Sequence, residues 1–309
     1  MKILKPKALR RGDLIAVVAP ASPPDSQEAV ARGVRYLEHL GYRVELGSNL
    51  YRRRGYLAGT DRERTADVHA AFSNPRVKAV FAVRGGYGCM RILPLLDFAL
   101  MRKNPKILVG YSDITALQLA MLSKAGLVTF SGPMVGVEMA SGLNGAAEER
   151  FWSSVTRTAA PQPIKILKDN IVTAGRGVGR IFGGNLSLVA ALSGTPFFPL
   201  LTDPILLLEE VGERPYRIDR MLRTLLLAGG RRRTRAVVLG RFDDCLPEAR
   251  RPSLSVRQVI GETFQSSSFP VVGGLSYGHS SDSLTMPIGI RARVDTAGQS
   301  LEFLEGGVC

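Results

Sequence analysis

Three times in its first 130 residues the chain runs an apolar stretch of strand length into a short loop of Gly, Ser or Pro. Leu14–Ala19 runs into Ala21-Ser22-Pro23-Pro24, Val77–Val83 into Arg84-Gly85-Gly86-Tyr87-Gly88, and Ile107-Leu108-Val109 into Gly110-Tyr111-Ser112-Asp113. Helical patterns alternate with these strands. Asp25-Ser26-Gln27-Glu28 supplies an N-cap and the third-position Glu of a capping box, followed by Val30, Val34 and Leu37 at helical spacing until Gly41. A second capped helix opens at Thr60-Asp61-Arg62-Glu63 and ends near Asn74-Pro75. A third runs from about Ile114 to Ala125, with Gly126 placed to cap its C-terminus. Strands that are mostly apolar along their length and separated by helices are covered on both faces, so the pattern predicts an α/β fold with a mostly parallel sheet.

Leu127 to Phe130 reads as one more strand, and between Ala159 and Gly177 the periodicity is lost. At about 100–200 residues per domain, 309 residues suit two domains. The expected division is a first domain over 1–160, a linker over 161–177 and a β-rich second domain over 178–309. The second half has strand-like runs at 204–208, 236–239 and 270–272 and helices at about 215–228 and 255–267. The first of these helices opens on Pro215 and stops at Gly229-Gly230.

Lys and Arg number 41 against 27 Asp and Glu, a formal charge of +14 that attracts anions without naming them. The Arg runs (Arg10-Arg11, Arg52-Arg53-Arg54, Arg231-Arg232-Arg233) are short, scattered and not interleaved with aromatics, so they read as solvated surface and no nucleic-acid site is expected. Cys89, Cys245 and Cys309 form an odd, dispersed set that suggests neither a disulfide framework nor zinc, and fits a reducing compartment. No apolar stretch approaches the ~18 residues of a membrane span. Basic residues before Leu14–Ala21 imitate a signal peptide, but the apolar part is short and Gly12-Asp13 interrupts its approach, which favours a first buried strand. Cytoplasmic residence is therefore expected, with no membrane partner.

Ser112 stands between a buried strand and a helix, where a sharp turn holds a hydroxyl at the carboxyl edge of the sheet beside unpaired helix N–H groups. Those are the requirements of a nucleophile; the commoner use of Ser before a helix is as an N-cap. The G-x-S-x-G elbow is absent, since Ile114 occupies the second Gly position. A serine nucleophile needs a base and the base an orienting acceptor. Of three histidines, His39 and His69 fall within helices, whereas His279 lies in a Gly-rich loop beyond a strand end and is the better candidate. Leu206-Leu207-Leu208-Glu209-Glu210 puts carboxylates at the end of an apolar strand, a costly place unless they are paired, whether with the base or with an arginine such as Arg217 or Arg220. Residue chemistry alone does not choose between Glu209 and Glu210. Arg84-Gly85-Gly86-Tyr87-Gly88 lacks the order of a P-loop or a dinucleotide fingerprint and reads as a close backbone approach to substrate. No metal-site spacing is present.

Taken together, Ala82–Gly88, Gly110–Ala116, Thr129–Met134, Gly183-Gly184-Asn185-Leu186, Gly194-Thr195-Pro196, Leu208-Glu209-Glu210 with Tyr216–Leu222, and Gly278-His279 resemble the LD-carboxypeptidases, the murein tetrapeptide carboxypeptidases with a Ser-Glu-His triad. The resemblance spans nearly the whole chain. It implies Ser112 as nucleophile, Glu209 as the acid, His279 as base, and an oxyanion hole from the backbone N–H of Asp113 and one of Gly85 and Gly86. It implies a Rossmann-like N-terminal domain, a β-rich C-terminal domain, a homodimer, no cofactor, and release of terminal D-alanine from an anionic murein tetrapeptide in cell-wall recycling. A free terminal carboxylate calls for a cation, for which Arg84 and Arg220 are candidates. The chain departs from the family's pattern at Glu210, a place often held by Asp, and at Ser276-Tyr277. Within the same family, microcin C self-immunity peptidases use the same triad on peptidyl or aminoacyl nucleotide analogues. A non-catalytic binder of anionic cell-wall peptide or nucleic acid is the alternative of another class; the presence of all three triad residues argues against it.

Overall fold

In the computed structural model, which describes residues 2–143, 145–230, 234–248 and 252–309, the alternating pattern of the first half becomes a parallel sheet. Its strands are β1 (Leu14–Val18), β2 (Arg43–Leu46), β3 (Val77–Ala82), β4 (Ile107–Val109) and β5 (Thr129–Ser131), in the order β5-β4-β3-β1-β2 with every neighbour parallel. β1 and β4 are buried throughout and β3 at all but Lys78, as strands covered on both faces must be. After β2 the chain returns across β1 to lay down β3 on the other side. The loops after β1 and β3 therefore face each other at a topological switch point, the usual crevice of such sheets.

The second sheet is built from β6 (Ile164–Lys165), β7 (Ile171–Thr173), β8 (Arg176–Asn185), β9 (Pro204–Val211), β10 (Ala236–Asp243) and β11 (Val271–Val272), then, beyond β12 (Met286–Ile288), from β13 (Arg291–Asp295) and β14 (Ser300–Phe303). Its order is β6-β14-β13-β8-β9-β10-β11-β7, parallel only from β8 to β11. β12 leaves this sheet and pairs antiparallel with β5 at the edge of the first, with Pro287 opposite Phe130.

Two expectations change. The stretch 161–177, expected as a linker, carries β6 and β7, which close opposite ends of the second sheet. Strands of two or three residues have no period to read, and their partners lie far along the chain. The N-cap of helix Gln27–His39 is Ser26, whose hydroxyl accepts from the Ala29 N–H, so Glu28 is not at the third position and pairs instead with Arg32. A complete capping box is found at Thr60, where Glu63 answers it. Helix Thr115–Ala125 ends on Gly126 in the left-handed conformation (φ 70°), as expected. Arg231-Arg232-Arg233 lie outside the described residues. Among the described residues no helix is long and apolar enough to cross a membrane.

Candidate active site

Gly110 follows β4, Tyr111 is extended, and Ser112 then takes φ 62° at the first position of a 3-10 turn that leads into the helix Thr115–Ala125. A residue with a Cβ holds that conformation at a cost of about 1–2 kcal/mol, and such outliers persist where the surroundings impose them. The Ser112 hydroxyl caps nothing: neither helical segment has a side-chain cap, and the hydroxyl makes no hydrogen bond among the described residues. The N-cap explanation of this serine therefore falls. Asp113 turns inward, buried, and accepts from the Cys89 N–H at 2.7 Å. Burial pushes its carboxyl up, against the pull of the Cys89 hydrogen bonds and the Arg64 charge.

The glycine loop after β3 lies directly against this turn. A Cβ on Gly85 would stand 2.9 Å from the Ser112 Cβ and 3.1 Å from its Oγ, so only glycine brings the backbone this close. The loop is supported on both sides. Ser22, in the loop after β1, donates its hydroxyl to the Tyr56 carbonyl (2.8 Å), accepts from the Tyr87 N–H (3.1 Å), and donates its own N–H to the Gly85 carbonyl (3.2 Å). Beneath it, the fully buried Arg64 donates to the carbonyls of Pro20 (2.5 Å) and Gly88 (2.8 Å) and pairs with Asp61. Among the described residues no acceptor takes the N–H groups of Gly85, Gly86 or Asp113. Unpaired donors thus lie on both sides of Ser112.

Glu209 and His279 arrive from the second sheet. The Gly183-Gly184-Asn185 end of β8 makes this possible: a Cβ on Gly184 would fall 2.4 Å from the Thr115 Oγ1, and that hydroxyl accepts from the Asn185 N–H at 3.1 Å. The start of the serine helix is thereby seated on β8, whose Asn185 pairs in register with Glu209 on β9. Successive strand residues face opposite ways, which separates the two glutamates. Glu209, 1% exposed, accepts from His279 Nδ1 at 2.8 Å. Glu210 turns to the helix Leu186–Leu192 and accepts from Asn185 Nδ2 (2.8 Å), the Ser187 N–H (2.8 Å) and hydroxyl (2.6 Å), and the Val211 N–H (2.9 Å). Burial raises the Glu209 carboxyl, with His279 pulling the other way. For His279 burial opposes the charged ring, but the Glu209 hydrogen bond and charge prevail and raise it above an ordinary histidine.

The His279 loop is pinned to β10 by the Arg241 N–H on the Tyr277 carbonyl (2.8 Å), and closed on itself by the Gly278 N–H on the Ser283 hydroxyl (3.0 Å). The His279 ring stands edge-to-face against Tyr111, with centroids 5.0 Å apart, and so beside Ser112. Among the described residues no hydrogen bond joins Ser112 to His279; in free enzymes this contact is often long and tightens on substrate. Arg84 sits at the glycine loop and pairs with Asp25. Arg220 is exposed and lies over the Tyr216 ring at 5.9 Å, on the helix Pro215–Leu225 that packs against helices Leu186–Leu192 and Val256–Phe264. His69 accepts from the Asp97 N–H, a structural role. Among the described residues no group of three His, Cys, Asp or Glu could hold a metal ion. Ser22, Arg64 and Thr115 each bond a backbone group distant in sequence, and the Asn185 side chain reaches Glu210 on the neighbouring strand; no local spacing signals such contacts.

Residues 15–132 match the LD-carboxypeptidase N-terminal domain and residues 178–294 the LD-carboxypeptidase C-terminal domain. The chain is 40% identical to the "Probable murein peptide carboxypeptidase" of Bacillus subtilis over 98% of its own length and 95% of the relative's. It is 27% identical to the microcin C7 self-immunity protein of Escherichia coli, over 95% and 94% of the two chains. The crystal structure of muramoyltetrapeptide carboxypeptidase from Oxalobacter formigenes superposes with a TM-score of 0.86 at 32% identity, covering 95% of this chain and 98% of that one.

Proposed function

The chain belongs to the LD-carboxypeptidase family, and from that premise we propose that Ser112, Glu209 and His279 form a serine peptidase triad releasing the terminal D-alanine of murein tetrapeptides. The observation that carries the assignment is the buried Glu209–His279 pair beside a serine held at φ 62° with an uncommitted hydroxyl. His279 takes the Ser112 proton as its oxygen attacks the carbonyl of the L-configured residue before the D-alanine. Glu209 holds the ring's tautomer and stabilises its charged form. The oxyanion meets the N–H of Asp113 and of Gly85 or Gly86, the proton passes to the departing amine, and water hydrolyses the acyl-enzyme. Arg84 is the cation we assign to the terminal carboxylate, by exchange from Asp25. Three unpaired cysteines support residence in a reducing compartment, and a homodimer remains part of the proposal.

The test is D-alanine release from L-Ala-γ-D-Glu-meso-diaminopimelate-D-Ala by the purified protein, with and without EDTA. Release insensitive to the chelator is expected. No release from this peptide, with turnover of an aminoacyl-adenylate analogue instead, would replace the murein reading by the nucleotide one.

The raised His279 fixes the sign of the pH dependence. The base must be neutral to accept a proton, so kcat/KM should fall on the acid side through a value above the ordinary 6.5. Glu209→Gln removes the anion that raises it and should move that limb to lower pH. A limb unmoved in this variant would detach Glu209 from the base.

A further inference from the structure

The glycine loop that faces Ser112 has little to hold it from within. Gly86 and Gly88 stand at φ 105° and 137°, and glycines move between neighbouring conformations at small cost. The far end of the loop is gripped from outside instead. The peptide unit joining Gly88 to Cys89 donates its N–H to the Asp113 carboxylate at 2.7 Å, and its carbonyl accepts from the Arg64 guanidinium at 2.8 Å. Asp113 is 2% exposed and Arg64 1%, so a single amide is held between a buried anion and a buried cation. Burial raises the Asp113 carboxyl, and the Cys89 N–H and thiol, the Arg64 charge and the Gly88 N–H pull it back. Asp61 anchors Arg64 in turn, and also accepts at both oxygens from Arg91, on the short helix that starts at Cys89. An apolar pair of similar volume stabilises a core about as well as two buried charges. What these charges add is direction, because they fix the plane of the 88–89 peptide at the end of the loop that carries Gly85 and Gly86.

Asp113 thus has two places in the site. Its own N–H is one donor assigned to the oxyanion, and the other belongs to Gly85 or Gly86, on the loop that its carboxylate holds. We propose that the Asp113 carboxylate is a positioning group of the oxyanion hole: by holding the 88–89 peptide it sets the separation between the Asp113 N–H and the N–H groups of Gly85 and Gly86. The proposal rests on the oxyanion donors assigned above and names what keeps them in register. Such donors act where charge develops in the transition state, and a misplacement of about 1 Å costs about 100-fold in rate. The carboxylate itself transfers no proton, and Arg64 works with it from the other end of the same peptide.

The experiment compares wild type, Asp113→Ala and Asp113→Asn in D-alanine release and in affinity for two probes. One is a peptide boronic acid with boron in place of the attacked carbonyl carbon, which becomes tetrahedral on Ser112 and sets an oxygen in the hole. The other is the tetrapeptide with that carbonyl reduced to methylene, which has no oxygen to place there. Asp113→Ala should lower kcat and boronate affinity together by about 100-fold, with KM and methylene-analogue affinity within about threefold. Asp113→Asn keeps an oxygen for the Cys89 N–H without the charge, and should lie between, down about tenfold in kcat and boronate affinity. A loss carried by KM, an equal loss on both probes, or a folded asparagine variant no better than alanine would overturn the proposal. If the alanine variant does not fold, the asparagine variant decides, and a boronate affinity unmoved there overturns it. Failure of both variants to fold would replace it by a structural role alone. Wild type that releases no D-alanine, or binds the boronate no more tightly than the methylene analogue, would remove the assigned oxyanion donors and this proposal with them.

Discussion

Ser112→Ala is expected to lower D-alanine release by about ten thousandfold or more while leaving the protein folded, and Ser112→Gly to be equally inactive yet more stable than the alanine variant. The activity loss follows from removing the attacking oxygen, after which the oxyanion donors and substrate binding alone remain. The difference in stability follows from the backbone. At φ 62° alanine bears the same left-handed penalty as serine, about 1–2 kcal/mol, and glycine bears none. Against this, glycine's looser unfolded chain costs about 0.4–1 kcal/mol. The net gain of glycine over alanine is about 0.5–1 kcal/mol, or about 1–3 °C in Tm for a chain of this size. Thermal melts of the two variants with a D-alanine assay check both parts. An alanine variant that keeps turnover removes Ser112 as nucleophile, and a glycine variant that melts below it shows that the turn is not strained.

Exchanging the two adjacent glutamates for glutamine should separate chemistry from stability. Glu209→Gln is expected to cost about 100- to 10,000-fold in kcat, because the neutral amide neither stabilises the charged ring nor holds the same tautomer. Its Tm should stay within a few degrees, since a desolvated carboxylate held by the His279 and Asn185 side chains is replaced by a neutral group of similar shape. Glu210→Gln should show the converse. Its carboxylate accepts from Asn185, twice from Ser187 and from the Val211 N–H, and an amide NH2 in place of one oxygen would confront a donor. A loss of about 2–4 kcal/mol is expected, with kcat of the remaining folded protein within about tenfold. Urea unfolding beside single-temperature kinetics decides the matter: if Glu210→Gln is stable and inactive and Glu209→Gln unstable and active, the two roles are reversed.

Much of the first domain could be read along the chain because its signals are local. Ile107–Val109 is apolar over its whole length and Val77–Ala82 at all but Lys78, Thr60 and Glu63 close a capping box three residues apart, and Gly126 marks a helix end by its own conformation. The second sheet was less readable. β6 and β7 are too short to show a period, and β12 departs to the other sheet, a choice made by the edge it finds at β5 and not by Met286-Pro287-Ile288 themselves. The N-cap of the first helix was misplaced by one residue because Asp25 and Ser26 are both good caps. The Asp25 pairing with Arg84, from a distant loop, leaves Ser26 to do the capping.

Ser112, Glu209 and His279 could be picked out from the sequence because each breaks a pattern where it stands: a serine after a buried strand, carboxylates at an apolar strand's end, a histidine in a Gly-rich loop. Strand alternation also required Glu209 and Glu210 to face opposite sides. Residue chemistry left open which of them meets His279 and the resemblance implied Glu209; what brings Glu209 to His279 is tertiary packing, through Thr115 seated on Gly184 and the His279 loop pinned to Arg241. Local sequence determines strands, caps and turns because their free energies arise within a few residues. The choice of partners depends on close approaches between segments as much as 146 residues apart, such as Ser131 and Tyr277, and those distances exist only once both sheets are packed.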